Sequence, residues 1–205
     1  STGIVSKVEN DIYEIVAVES PLDLAVGYEV DCKNTYCTEV VDTLSTITFE
    51  QVGAIESMKN HPVYLNLKLE SFIGTPIFVN GNLYGTLNFS DTNLRKDIFT
   101  QEEREIVELM AKDIGQCIAS VQSQVALKDS EALFRNTFEQ AAVGIAHVSL
   151  EGTFIWVNQR LCEIVGYDNE PLIELTFQEI THPDDLTTDL EYVRQMLTGE
   201  IEKYS

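Results

Sequence analysis

The sequence has little cysteine, histidine and basic charge, and each shortage excludes a class of protein. Its four cysteines include no CxxC pair and its three histidines are scattered, so no zinc-binding spacing is present. Lysine and arginine number 13 against 34 acidic residues, which gives a net charge of −21. Such a surface repels nucleic acid and anionic lipid, so we expect neither as a partner.

Long apolar runs and catalytic motifs are also missing from the sequence. It contains no run of 18 apolar residues and no phosphate loop, nucleophile elbow, metal motif or kinase signature. Cysteines without a pairing pattern favour a reducing compartment, so we expect a cytoplasmic protein with no membrane partner. Because the first residue is not methionine, we also expect the chain to be a piece of a longer protein.

A stretch from Thr100 to Ala141 without proline organises the rest of the chain. Thr100 and Glu103 have the capping-box spacing of a helix start. About 40 residues in a helix would span roughly 60 Å, which is longer than a small domain is wide. The stretch, residues 100–141, therefore predicts a connecting helix between two domains. It could be one rod, or two helices with a fresh start at Asp129 or Ser130.

Apolar residues recur at spacings of three and four along the first half of this helix. Their seven-residue repeat predicts a coiled-coil seam with the same helix of a second, parallel chain. The expected homodimer seam consists of Val107, Met110, Ile114, Cys117 and Val121. Continuing the repeat would place Gln124 and Lys128 in the seam, so we expect it to shift there. The alternative is that the stripe packs on its own domain and the chain is monomeric.

Residues 1–120 alternate β-rich runs with short helical patterns. Asn80-Gly81 between two apolar runs predicts a hairpin, and a second hairpin is expected over residues 3–18. Pro62 is expected to end a short helix over residues 55–60. Strands, short helices, strands and a long helix, in that order, predict an α+β domain with an antiparallel sheet.

Three motifs in this half carry a family resemblance. SFIGTPI at 71–77, NG at 80–81 and LYGTLNF at 83–89 together resemble the signature of GAF domains. The resemblance covers residues 1–120, without the family's usual N-terminal helix, and implies a pocket for a small molecule. Aromatic residues are its candidate lining, although each is a core candidate first: Tyr36, Phe49, Tyr64, Phe72, Phe78 and Tyr84.

The same resemblance bears on cofactors and on catalysis. Bilin-binding GAF relatives place a cysteine directly before a histidine, where this chain has Asn60 and His61, so we expect no covalent bilin. GAF-type methionine-sulfoxide reductases are the enzymatic alternative, and they need paired reactive cysteines. Cys32 and Cys37 are the only close pair, and a long helix into a second domain does not suit such an enzyme.

Residues 130–205 resemble a PAS domain. LFR at 133–135, WVN at 156–158, GY at 166–167 and HPDD at 182–185 carry this resemblance. A PAS sheet has three more strands than this stretch predicts, so we expect the domain to be incomplete here. Its expected pocket residues, which are core candidates first, are Phe154, Trp156, Ile164, Phe177 and Ile180.

No resident cofactor is expected in this second half either. The flavin-binding PAS type carries an asparagine-cysteine-arginine-phenylalanine motif, which this chain lacks, so we expect no flavin. His182 fits a helix-capping segment better than an axial ligand, so we expect no haem. Thr181 and Asp184 have the spacing of a capping box for the last helix.

A GAF domain followed by a PAS domain resembles the sensory input region of bacterial, cyanobacterial-type sensor histidine kinases. The resemblance implies signal transduction without a catalytic site in this segment. An unidentified small molecule or partner would bind, and the connecting helix would transmit the change to a C-terminal output domain. Diguanylate cyclases and phosphodiesterases use the same inputs, and they are the alternative parents.

Overall fold

The computed structural model describes residues 1–203, and the chain divides into two compact units. The first unit is Ser1–Val125 and the second unit is Ala126–Ser205. Both combine helices with antiparallel strands, so the α+β prediction is confirmed. Within the described residues, every helix is too short or too polar to cross a membrane.

A six-stranded antiparallel sheet forms the first unit. Its strands are β1 (Thr2–Glu9), β2 (Ile12–Glu19), β3 (Glu29–Asp31), β4 (Ile47–Phe49), β5 (Ser71–Val79) and β6 (Asn82–Asp91). Their spatial order is β3-β2-β1-β6-β5-β4, so the two hairpins β1-β2 and β5-β6 meet at the centre of the sheet. Both predicted hairpins are confirmed. Gly85 is needed at this junction, because a Cβ there would meet the backbone carbonyl of Ser6.

Two short helices, α1 (Cys37–Thr43) and α2 (Pro62–Leu67), belong to the same unit. The predicted helix over 55–60 is wrong, because residues 56–60 form turns and Pro62 begins a helix. Proline suits the first helical position, where the missing N–H would have no partner in any case. His61 is the N-cap, and its Nδ1 accepts a hydrogen bond from the Val63 N–H at 3.3 Å.

The long helix α3 runs without interruption over Gln101–Glu139. Its capping box is confirmed: the Glu103 N–H donates to Thr100 Oγ1, and the Thr100 N–H donates to Glu103 Oε2 at 2.8 Å. The alternative of a fresh helix at Asp129 or Ser130 is wrong. Helical propagation through those residues costs less than ending one helix and nucleating another.

Each face of the sheet in the first unit carries its own apolar cluster. One cluster joins Tyr13, Tyr36 and Phe72 to α1. On β5, Ile73 and Ile77 belong to the other cluster, together with Val107 and Ala111 of α3. Alternation along β5 explains the division, because successive strand residues point to opposite faces. Each fully buried aliphatic side chain of this kind contributes about 1.5–3 kcal/mol.

As far as residue 203, the second unit contains a two-stranded sheet and four helices in addition to the end of α3. Its elements are β7 (Ala146–Val148), β8 (Phe154–Val157), α4 (Gln159–Val165), α5 (Asn169–Ile173), α6 (Phe177–Ile180) and α7 (Pro183–Leu197). The predicted cap of the last helix is wrong by one residue. His182, not Thr181, is the N-cap of α7, and Pro183 takes its first turn as Pro62 does in α2.

Asn158 ties the second unit together. Its Oδ1 accepts hydrogen bonds from the Ile145 N–H (2.8 Å) and the Leu161 N–H (2.9 Å), which confirms its predicted role as a helix cap. Its Nδ2 donates to the carbonyls of Phe138 (2.9 Å) and Val143 (3.0 Å). One buried amide therefore connects the end of α3, the approach to β7 and the start of α4.

Candidate ligand pocket

The first unit contains a partly open cavity of about 530 Å³ against one face of its sheet. Strands β1, β2, β5 and β6 line it, together with α1, α2 and the segment that leads from β2 to β3. Its volume lies in the range of small-molecule sites, about 300–1,000 Å³. The walls are mainly aliphatic and aromatic, while the strands at the centre of the sheet supply polar atoms.

Those polar atoms come from a buried row on β1 and β6. Thr86, Asn88 and Ser90 alternate along β6, and all are at most 6% exposed. On β1 the register places Thr2 opposite Ser90 and Ser6 opposite Thr86. The face of a sheet that packs under helices is ordinarily apolar, so a polar row there calls for hydrogen-bond partners.

Cys37 satisfies part of this row from α1. Thr86 Oγ1 donates to Cys37 Sγ at 3.2 Å, and Asn88 Nδ2 donates to the same sulfur at 3.4 Å. Burial raises the pKa of the Cys37 thiol to about 12. Because the thiolate is the nucleophilic form, Cys37 lines the cavity as a neutral, unreactive group. Burial also raises the pKa of Cys32, the other member of this close pair.

Two tyrosines complete the polar lining. The Tyr13 hydroxyl accepts a hydrogen bond from Asn88 Nδ2 at 3.1 Å, and burial raises the pKa of Tyr13 well above its ordinary value. The Tyr36 hydroxyl donates to the Leu69 carbonyl at 3.1 Å. The Tyr36 ring meets Phe72 edge to face, with ring centroids 5.5 Å apart. Both tyrosines therefore act as fixed, uncharged parts of the wall.

Of the six aromatic residues expected in this pocket, Tyr36 and Phe72 line the cavity. Phe49 packs behind them against both rings. Tyr64 donates its hydroxyl to Glu70 at 3.0 Å. Tyr84 packs in the cluster of the opposite sheet face, and Phe78 is 43% exposed beside a groove that Glu108 and Lys112 also line. The structure therefore corrects the prediction that these last four residues line the cavity. Phe49 and Tyr64 pack in the apolar cluster on the cavity's face without lining it, whereas Tyr84 packs on the opposite face.

The residues that sequence reasoning missed are the small polar ones. Asn88 and Ser90 stand in the alternating pattern Thr86-Leu87-Asn88-Phe89-Ser90, which ordinarily indicates a strand with its polar face in solvent. Here both faces are covered, by α1 on one side and α3 on the other. The available signal was that the β5-β6 hairpin lies in the sequence between α2 and α3 and that β6 keeps one polar face.

In the second unit the predicted pocket residues are mainly core. Phe154 is buried, and Phe177 and Ile180 pack beside it in one apolar cluster. Trp156 stacks on Phe138 with ring centroids 4.4 Å apart. Ile164 is 60% exposed, so its expected place in a pocket is wrong. Helix α4 turns Cys162 and Leu161 toward the cluster instead.

The predicted seam residues of α3 divide between two environments. Val107 is buried and Ile114 is half-buried, and both pack against the chain's own sheet. This placement corrects the expectation that all five face a partner. Met110, Cys117 and Val121 are exposed. The sheet-facing stripe continues through Ala111, Gly115 and Ile118, the positions that a straight helix turns toward one face.

Comparison with known proteins identifies both halves. A GAF domain family matches residues 4–119, and a PAS domain family matches residues 132–198. The chain therefore belongs to the GAF family, and its GAF domain is followed by a PAS domain. Together they form a sensory segment of the kind found in signalling proteins, as the sequence resemblance implied.

Three known proteins illustrate this relationship. The chain is 44% identical over 79 residues to the probable diguanylate cyclase DgcE of Escherichia coli, covering 38% of this chain and 7% of that protein. It is 27% identical over 112 residues to the sensor histidine kinase TmoS of Ectopseudomonas mendocina, covering 55% and 11%. The GAF domain of a phosphoenolpyruvate-protein phosphotransferase from Coxiella burnetii shares the fold. It has a TM-score of 0.51 at 19% identity, over 61% of this chain and 75% of that one.

Proposed function

We propose that this chain is the sensory input of a two-component sensor histidine kinase. A small molecule enters the cavity of the GAF domain, and α3 transmits the change toward an output domain. The observation that carries this proposal is the buried polar row, of which Thr2, Asn88 and Ser90 line that cavity, on a domain whose last helix continues into the PAS half. The identity to TmoS over 55% of this chain supports a kinase output.

A diguanylate cyclase is the second candidate parent. The chain's 44% identity to DgcE, although over a shorter stretch, favours it specifically. The two candidate parents use different substrates, so an activity assay on the whole protein distinguishes them. Incubation with labelled ATP should produce an alkali-stable, acid-labile phosphohistidine. Conversion of GTP to cyclic diguanylate, without a phosphohistidine label, would identify the parent as a cyclase instead of a kinase. The proposed sensory role would be unaffected.

We propose that a parallel homodimer, located in the cytoplasm, transmits the signal. Met110, Cys117 and Val121 lie at spacings of seven and four on the exposed surface of α3, which suits a coiled-coil contact. The polar positions near Gln124 and Lys128 weaken the helix contact. Two helix registers there would differ in free energy by only a few kcal/mol. A ligand shifts such an equilibrium only by its differential affinity for the two states.

Light scattering tests the dimer directly. Val121→Asp should make the chain monomeric, whereas Ser123→Asp, on the other side of the helix, should leave it dimeric. Neither residue contacts the sheet cluster, so both variants should stay folded. Ile114 is unsuitable for this test because it packs on the sheet. An unmodified chain that is monomeric at high concentration would refute this mechanism.

Cys117 reports the direction of pairing, because it is exposed while the other three cysteines are buried. In a parallel pair the two Cys117 residues face each other, so mild oxidation should give a disulfide-linked dimer. Cys117→Ser should abolish that product. Failure to form a linked dimer under mild oxidation would contradict parallel pairing with Cys117 facing its copy.

The absence of a bilin, flavin or haem is part of the same proposal. Cys37 is the thiol that lines the GAF cavity, and its raised pKa disfavours covalent attachment of a chromophore. An absorbance scan of the purified protein should show no visible band. A visible band that survives denaturation would establish a covalent bilin and contradict this part.

A further inference from the structure

Asn88 leaves one of its polar atoms unused at the bottom of the cavity. Both hydrogens of its Nδ2 have acceptors, Tyr13 Oη at 3.1 Å and Cys37 Sγ at 3.4 Å. Its Oδ1 accepts no hydrogen bond from the residues that the structure describes, although Asn88 is only 4% exposed. That oxygen is not sealed inside protein, and Asn88 lines the cavity. A buried acceptor without a partner costs about 1–3 kcal/mol unless something else satisfies it.

Ser90 repeats the pattern one position further along the same face of β6. Its side chain makes no hydrogen bond with any residue in 1–203, and it is 6% exposed. The opposite residue, Thr2, has its hydroxyl paired with Ser20 Oγ at 2.8 Å. The cavity thus presents an acceptor at Asn88 and a hydroxyl at Ser90, on positions that are about 7 Å apart along a strand.

The cavity lining carries almost no charge. The little that it carries is negative, which disfavours binding of an anion. Among the side chains that line it, the one formally charged group is the exposed carboxylate of Asp23. Thus no lysine, arginine or histidine side chain in this lining could pair with a carboxylate or a phosphate. The net charge of −21 adds to the cost of bringing an anion to this site.

We propose that the cavity takes an uncharged, largely apolar small molecule that carries a hydrogen-bond donor. This inference rests on the proposed function, and it adds the chemical class of the signal. The donor, a hydroxyl or ring N–H, binds Asn88 Oδ1, and a second polar group of a larger ligand reaches Ser90. The aliphatic and aromatic walls cover the rest. Nucleotides, phosphorylated metabolites and carboxylates are excluded as ligands.

Three probes of similar shape test the class. 2-Naphthol has a neutral ring system with a donor, naphthalene lacks the donor, and 2-naphthoate is an anion at pH 7. Isothermal titration of the purified chain should show 2-naphthol binding about tenfold more tightly than naphthalene, the effect of one buried hydrogen bond. 2-Naphthoate should bind at least about tenfold more weakly than 2-naphthol. Equal or tighter binding of 2-naphthoate would overturn the ligand class and leave the sensory pocket standing.

Substitution of the acceptor tests the residue. Asn88→Leu keeps the branching at Cγ and removes Oδ1, so the preference for 2-naphthol over naphthalene should fall to less than about threefold while naphthalene still binds. Asn82→Leu, at the exposed start of the same strand, should keep the full preference. Binding of naphthalene to Asn88→Leu also establishes that the variant is folded. An unchanged preference in that variant would overturn the role of Asn88.

The outcomes also separate this inference from the proposed function. If none of the three probes binds, the ligand class fails, while the signalling role is decided separately by the phosphohistidine and cyclic diguanylate assays. If 2-naphthol binds as expected but does not change the yield of the Cys117-linked dimer, the proposed transmission through α3 fails. The ligand class then still stands.

Discussion

The two halves of the chain each bury one asparagine, and they use it in opposite ways. Asn158 of the PAS half has four hydrogen bonds to four backbone groups, so its amide is fully satisfied within the protein. Asn88 of the GAF half has two bonds and an oxygen left over in a cavity. A saturated buried amide fixes a fold, whereas an incompletely satisfied one beside a cavity indicates a ligand.

The two halves also differ in the size of their sheets and in how completely apolar clusters cover them. The GAF half has a six-stranded sheet with an apolar cluster on each face, while the PAS half has two paired strands and one cluster. A two-stranded sheet is marginal unless helices cover it. Asn158 and the stacked rings of Phe138 and Trp156 provide much of that support. The following predictions test this contrast.

The largest effect is expected from Asn158→Ala. Removing this side chain leaves two N–H groups and two carbonyls without their partner, so the PAS half should lose about 4 kcal/mol of stability. Urea unfolding followed by the fluorescence of Trp156, the single tryptophan, reports that half selectively. Asn169→Ala, which removes one long hydrogen bond of 3.4 Å, is the matched control and should cost under about 1 kcal/mol. Equal effects would show that Asn158 is not the centre of its unit.

Amide hydrogen exchange should show the next largest difference. We expect protection in β5 and β6 to exceed that in β7 and β8 by about 100-fold, or about 2.7 kcal/mol of local opening free energy. The reason is that β5 and β6 are paired on both sides, while β7 and β8 pair only with each other among the described residues. Mass spectrometry of exchanged peptides measures this, and faster exchange in the GAF strands would reverse the comparison.

A substitution in α3 should act on the GAF half alone. In Gly115→Ala the new Cβ meets the backbone carbonyl of Phe78, so helix and sheet must separate. This strain outweighs the gain of about 1 kcal/mol in helix propensity, and we expect a net loss of about 1–2 kcal/mol. Gln116→Ala, on the exposed side of the same turn, is the control. If Gly115→Ala stabilises the GAF half, the close approach is not limiting.

The smallest effect concerns alkaline pH. Burial raises the pKa of Cys37 from its ordinary value of 9.0 to about 12, and it also raises the pKa values of Tyr13 and Tyr36. The unfolded chain then releases protons that the folded chain retains. Stability of the GAF half should therefore fall as pH rises above about 9, by up to about 1.4 kcal/mol per pH unit for each group.

Circular dichroism during urea unfolding at pH 8 to 10.5 follows this loss, while Trp156 fluorescence follows the PAS half. Cys37→Ser removes one titrating group and should reduce the slope for the GAF half. The PAS half has one buried thiol with a raised pKa, Cys162, so its slope should be smaller. A steeper slope in the PAS half would contradict the assignment.

The sequence by itself determined the local elements and the order of the two domains. The Asn80-Gly81 turn, the Thr100–Glu103 capping box and the Asn158 cap are each specified by neighbours a few residues apart, so they could be predicted. The α+β class followed from the order of such elements. The pair His61-Pro62 shows the limit of this reasoning, since proline begins helices as well as ending them.

Only the tertiary structure decided which face of each element is covered. The apolar stripe of α3 divides between the chain's own sheet, at Val107, and the exposed surface, at Val121, and sequence periodicity cannot make that division. Likewise, the polar face of β6 became the floor of a cavity because α1 lies over it, with Cys37 in contact with Asn88. Side-chain periodicity in the sequence shows that the two faces of a helix or strand differ. The residues that pack on each face lie far away along the chain, so periodicity cannot identify them.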